Sequence, residues 1–174
     1  MSRSDIVFTI ISSEVITMKK FKLTDLLIFI VTAELTGAVS ALIAGDFASF
    51  YAEVTQPPLS PPAWVFPVVW AVLYALMGIS AYMIWNTGNK SKERSIALKI
   101  YFIQLAVNFS WSIIFFRFRL LGAAAVVAVV LFVLVVLMIL SFSRVRKLAA
   151  NLNIPYLIWL AFAAYLAIGT YILN

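Results

Sequence analysis

LLGAAAVVAVVLFVLVVLMILSF, residues 120–142, contains no charged residue, no proline and no amide side chain. A bilayer's hydrocarbon core, ~30 Å thick, is crossed by about 20 predominantly apolar residues in a helix, so this stretch reads as a membrane span. Its apolar residues are continuous rather than alternating, and the run is as long as a helix, which excludes a transmembrane barrel strand. Four runs of the same kind surround it, at about 23–44, 63–85, 96–116 and 154–173. Breakers separate them: Gly45-Asp46, the proline cluster at 57–62, Asn86-Thr87-Gly88-Asn89, and the stretch 151–155. The expected fold is an all-α membrane protein, a five-transmembrane-helix bundle.

Composition supports this. Of 174 residues, 64% are apolar and 11% charged, against roughly 45–50% and about 25% in soluble domains. Mean hydropathy is +1.06. One membrane domain is expected over 21–174. Residues 1–20 read as an N-terminal extension, not native or without order. Met18-Lys19-Lys20-Phe21-Lys22 itself resembles a bacterial start, so residues 1–17 are an upstream extension or a start-site artefact. A cleaved signal peptide is the alternative, against which Glu34 and the length of the first run both argue. With Cys 0 and His 0, disulfides, thiol catalysis, the commonest metal ligands and the usual general base are all excluded. No metal site is expected.

Charge placement orients the bundle. Of the 13 Lys and Arg, only Arg117 and Arg119 lie on the side of the long 45–62 loop. The rest flank the N-terminus and the 86–98 and 143–153 links, which places the N-terminus in the cytoplasm and the 45–62 loop outside, in a bacterial-type cytoplasmic membrane. The net charge of +6 therefore reflects topology and the lipid bilayer, not nucleic acid, since the basic residues flank spans and form no groove. The 45–62 loop reads as a structured cover over one end, and the 117–119 link forces a tight antiparallel helix pair.

Polar groups in hydrocarbon face a bundle interior or a cavity. Tyr101, Gln104, Asn108, Trp111 and Phe115 share one helical face, as do Phe66, Trp70, Tyr74, Met77 and Ala81 on the second span. The fifth span adds Tyr156, Trp159, Phe162, Ala163 and Leu166. Such faces describe a pocket for a flat, largely apolar ligand; interhelical amide bonds and interfacial aromatic belts are the alternative, and the belt suits Trp64 and Trp85. Glu34, midway along the first span, either serves function or pins packing through a protonated or bonded carboxyl. Gly37, Ala41 and Gly45 read as a close-packing stripe. Gly122, the alanines at 123–125 and Ala128 read as a second close-packing face, and this alanine-rich segment also suits an intersubunit surface.

These residues closely resemble the TspO/MBR family (tryptophan-rich sensory proteins, translocator protein, peripheral benzodiazepine receptor). The resemblance runs from Phe50-Tyr51 through Pro57, Pro61-Pro62, Trp64-Val65, Val69-Trp70, Leu73-Tyr74, Met77-Gly78, Tyr82 and Trp85. It resumes at Gln104-Leu105-Ala106-Val107-Asn108, Trp111, Phe115-Phe116 and Gly122, and closes with Pro155-Tyr156-Leu157 and Trp159-Leu160-Ala161-Phe162-Ala163. It covers roughly 48–167. It implies a bundle that is usually dimeric and binds porphyrins such as protoporphyrin and haem, and drug-like apolar ligands of the benzodiazepine type. The implied pocket residues are Tyr51, Trp70, Asn108, Trp159 and Ala163, with Gln104 and Trp111 added; Tyr74 and Phe162 join them from the striped faces. No tightly bound cofactor is implied, porphyrin or haem being the ligand.

The pattern departs from the family at Leu59, where a Trp is usual, at Ser112, where many animal members have proline, and at Val127, often acidic. Ala167 and a tail without basic residues after Tyr171 break the sterol-recognition pattern, so sterol binding is not supported by motif. The leading expectation is a membrane tetrapyrrole-binding protein acting in porphyrin transport, sensing or homeostasis. A light-dependent porphyrin-degrading photo-oxidase using Trp70 and Trp159 is the enzyme alternative. A small-metabolite exporter is the third, with no inverted repeat or clear ion site to support it.

Overall fold

A computed structural model describes residues 21–88 and 91–174. The extension expected over 1–20 and Lys90 lie outside the described residues. The elements are α1 (Leu23–Ala44), α2 (Phe47–Glu53), α3 (Val65–Trp85), α4 (Lys92–Ser112) running into one π-helical turn (Ile113–Arg117), α5 (Leu121–Val145), α6 (Lys147–Asn151) and α7 (Ile154–Leu173). Five helical stretches among the described residues are long and apolar enough to cross a membrane, the last formed by α6 and α7 together. The protein is an integral, multi-pass, all-α membrane protein. The expected spans match within a few residues; the short helices α2 and α6 and the π-helical turn were not foreseen.

Local chemistry sets the boundaries. Ser91 Oγ accepts from Arg94 N at 3.2 Å and starts α4. Asp46 Oδ1 accepts from Ser49 N at 3.1 Å and starts α2. Pro155 stands in the first turn of α7, where a missing N–H costs nothing. Gly45 ends α1 at φ 85°, ψ −145°, a conformation left almost wholly to glycine, and nothing lies within 4 Å of where its Cβ would be. Gly45 is therefore a helix stop and not the third member of a packing stripe.

In the bundle α1 packs on α3 and α4, α4 on α5, and α5 on α7. Gly78 sets the α1–α3 crossing: a Cβ there would lie 2.6 Å from Ile30 Cα, so the backbones touch. Ser40 Oγ ties α1 to α4 by donating to Phe109 O at 2.6 Å. Between α3 and α7 two ring pairs meet, Phe66–Trp159 at 5.9 Å and Trp70–Tyr156 at 6.0 Å between centroids.

The links fall at two ends, as the charge pattern requires. At one, Lys22 N donates to Tyr82 Oη, Arg94 lies 4.7 Å over the Trp85 ring and Asn153 Nδ2 donates to Ser80 Oγ. At the other, Tyr165 Oη donates to Pro58 O and the Asn174 amide bonds Thr55. At the alanine-rich start of α5, Ala124, Ala125 and Ala128 are buried within the chain against Phe50, Phe115 and Ala167, so these three form a close-packing face inside one chain, while Ala123 is exposed.

Candidate functional site

Site residues reach their positions through the phases of α3, α4 and α7. On α3, Phe66, Trp70 and Tyr74 recur every fourth residue and form a ladder, with the Trp70 and Tyr74 centroids 5.5 Å apart. Tyr74 comes close to α1 because residue 37 is glycine; a Cβ there would occupy the space of the Tyr74 ring. Trp70, Tyr74 and Trp111 line a groove of about 260 Å3 between α1, α3 and the end of α4. Phe47 from α2 and Phe116 from the π-helical turn close its α2 end.

Gln104 and Asn108 lie behind this groove. Tyr74 Oη donates to Asn108 Oδ1, Asn108 Nδ2 donates to Tyr156 Oη at 2.8 Å, and Tyr156 Oη donates to Gln104 Oε1 at 3.0 Å. Gln104 Nε2 faces the Met77 sulfur at 3.7 Å. This buried chain joins α3, α4 and α7, where no water competes for its members. Both amides thus hold helices together and orient two phenols, and neither lines the groove.

Trp159 and Phe162 line a second, shallower groove between α3 and α7. Trp159 Nε1 is buried without a hydrogen-bond partner among the described residues. Tyr51 stands at the loop end, its hydroxyl donating to Pro61 O at 2.7 Å and its ring 5.3 Å from Phe66. Burial raises the Tyr51 phenol above its ordinary pKa, with Ser60 acting weakly the other way, so it remains a neutral donor. Ala163 is half-buried on α7 and lines neither groove. A single ladder nevertheless connects the parts: Tyr51, Phe66, Trp159 and Phe162 follow one another at 5.3, 5.9 and 5.6 Å.

Two lining residues escape a reading by regular periodicity. Phe116 reaches the groove and Phe115 turns into the core because the π-helical turn carries an extra residue and rotates the face. The run of large residues from Ile113 to Arg117 offers no sequence signal for that shift. Phe47 belongs to α2, whose only cue is Asp46 three residues before Ser49. Trp111 has a double role: it lines the groove, stacks on Phe115 at 5.1 Å, and donates from Nε1 to Ala124 O at 3.1 Å, clamping α4 to α5. Trp64 and Trp85 are exposed at opposite ends of α3, as an interfacial belt requires.

The TspO/MBR family profile matches residues 27–172. The chain belongs to the TspO/MBR family. It is 38% identical over 125 residues to the translocator protein of Ovis aries, covering 71% of this chain and 74% of that one. It is 38% identical over 117 residues to tryptophan-rich protein TspO of Chlorobaculum tepidum, covering 67% and 74%. Protein CrtK of Rhodobacter capsulatus is 31% identical over 152 residues, or 87% of this chain and 94% of the relative. The TspO/MBR match thus takes in all five spans, the α2 cover and every aromatic of the ladder.

Proposed function

We propose that this TspO/MBR protein binds tetrapyrroles within the bilayer and serves porphyrin transport, sensing or homeostasis. The observation that supports this reading is the wall of rings between α3 and α7. Those helices are held apart by Phe66, Trp70, Tyr156 and Trp159 and not joined by close backbone packing. A flat macrocycle entering there exchanges ring–ring contacts for ring–ligand contacts of the same kind, so insertion sacrifices little packing. Tyr51 and the proline loop stand over the entrance. Benzodiazepine-type ligands suit the same wall. The N-terminus lies in the cytoplasm of a bacterial-type cell, the α2 loop outside, and the working unit is a homodimer.

Ring stacking, with no metal ligand, carries this binding. The chain has no His or Cys, and the Tyr51 phenol resists forming the phenolate that would ligate ferric iron. Purified protein titrated in darkness with protoporphyrin and with haem should show saturable quenching of tryptophan fluorescence and similar affinities for both. No saturation would refute tetrapyrrole binding. A haem affinity more than about 100-fold tighter, roughly 2.7 kcal/mol, would refute metal-independent stacking.

The Trp70 and Trp159 indoles stand in the same wall, where an electron-rich ring beside a photosensitising porphyrin is a one-electron partner, and this supports light-driven porphyrin degradation as a second reading. Illuminating the titrated sample tests it. Trp70→Phe with Trp159→Phe should then abolish conversion and keep much of the binding; conversion at the parent rate would remove this pair from the chemistry.

A further inference from the structure

Glu34 lies at the middle of α1, and it lines the groove between α1 and α3. No hydrogen bond or ion pair joins its carboxyl to another described residue, and no Lys or Arg lines the groove. Tyr74 is the one other titratable side chain on the wall, and its hydroxyl is committed to Asn108. The groove is open sideways. Ala38, Ala41, Pro67 and Ala71 border it and are exposed on the outside of the bundle, so its mouth faces the acyl chains.

An ionisable group at this depth is costly unless something neutralises it. A carboxyl that pinned helix packing would be bonded to a neighbouring helix, and this one is not. The remaining wall selects what could neutralise it. Trp70, Tyr74 and Trp111 present ring faces, which attract cations, and Phe47, Phe66 and Phe116 add apolar surface. A volume of about 260 Å3 lies just under the ~300–1,000 Å3 of most drug-sized pockets, which suits a small ring system.

We propose that this groove is a binding site for a protonated amine carried on a one- or two-ring apolar body, with Glu34 as its counter-ion. The inference goes beyond tetrapyrrole binding and does not rest on it. The amine crosses the acyl chains as its free base and takes the proton of the Glu34 carboxylic acid. An N–H bond forms as the O–H bond breaks, and the resulting ion pair is neutral as a whole.

The test is a calorimetric titration of the full-length protein in phosphatidylcholine nanodiscs near neutral pH, with empty nanodiscs as the blank for partitioning. The probes are 1-naphthylmethylamine and its uncharged counterpart 1-naphthylmethanol. The amine should bind at least about tenfold more tightly than the alcohol. Glu34→Gln should remove that preference and leave alcohol binding within about twofold of the parent. Ala38→Trp, at a lipid-exposed position on the groove's mouth, should block both probes and does not depend on how well the Glu34 variant folds. Equal affinities in the parent protein, a preference that survives Glu34→Gln, or an amine still bound selectively by Ala38→Trp would each overturn the proposal.

Discussion

At the α6 end of the bundle, Tyr101, Phe142, Met77, Ile84 and Ala149 have no accessible surface. At the α2 end, Phe66, Trp70, Trp111 and Trp159 are all half-buried, although they are as large and as apolar. The first region is filled by side chains of mixed shape and bridged by Asn153, which bonds both Ser80 and the Ala149 carbonyl. The second is filled by rings meeting edge to face, an arrangement that leaves grooves beside α1 and α7. Lipid is as apolar as either core, so packing and hydrogen bonds, and not water exclusion, hold these helices together. A sealed end therefore supplies the stability that a loosely filled end gives up for binding. Substitutions at the sealed end should move stability alone, and those at the ringed end should move binding first.

The harshest trial lies where α1 crosses α3. Gly78→Leu would drive a side chain into the Ile30 backbone, which cannot yield as a side chain can, and should cost about 3 kcal/mol of stability. Denaturation in mixed micelles checks this, and parent-like stability would mean α1 is free to move outward. Phe142→Ala should cost about 2 kcal/mol, the cavity part of the usual penalty, because the transfer part vanishes when the reference state is lipid. Its protoporphyrin affinity should stay at the parent value. A large loss of affinity would dissolve the distinction between the two ends.

Asn108→Leu lies on the border between the regions and sharpens it. The variant strands the Tyr74 hydroxyl and removes a donor from Tyr156, which keeps its bond to Gln104, for a loss of about 1 kcal/mol of stability. Ligand affinity should fall by roughly 1–2 kcal/mol as well, through misplaced phenols and not through a lost contact to the ligand. A double-mutant cycle with Tyr74→Phe separates the two routes. Strong coupling between the substitutions means the amide acts by holding Tyr74, and additive losses mean it touches the ligand itself.

The five spans were legible because length and continuity of apolar residues are unambiguous in a bilayer. Residues 23–44 and 154–173 fall where the hydrophobic runs fall. The site was legible as faces and not as a cavity. Periodicity puts Gln104, Asn108 and Trp111 on one side of α4, yet what that side meets depends on the neighbouring helices: Tyr156 for the amides, a groove for Trp111. Small residues were the least legible. Gly37, Ala41 and Gly45 look alike in sequence, but one admits a ring, one borders a groove and one stops a helix. Spacing of four cannot separate these roles, because each is set by what lies opposite.

The smallest expected effect concerns the cover of the ringed end. Arg119 Nη1 lies 3.1 Å from Glu53 Oε2 and ties α2 to the turn between the π-helical segment and α5. The same guanidinium lies 4.8 Å over the Phe50 ring, which in turn meets Phe115 and Phe116. The side chains are 59% and 52% exposed, so the ion pair is screened by water and salt. Exposed pairs of this kind contribute less than about 1 kcal/mol, and Glu53→Gln should leave thermal stability nearly unchanged. Its effect should appear in kinetics. A cover held less firmly opens more often, so protoporphyrin should associate and dissociate faster, by about twofold to threefold, with the equilibrium affinity preserved. Raising the salt concentration should accelerate the parent protein in the same way and leave Glu53→Gln unaffected, since its pair is already gone. Identical salt responses in the two proteins would mean that α2 is held by its Phe47 and Phe50 ring contacts alone, and that the cover is as tightly packed as the sealed end.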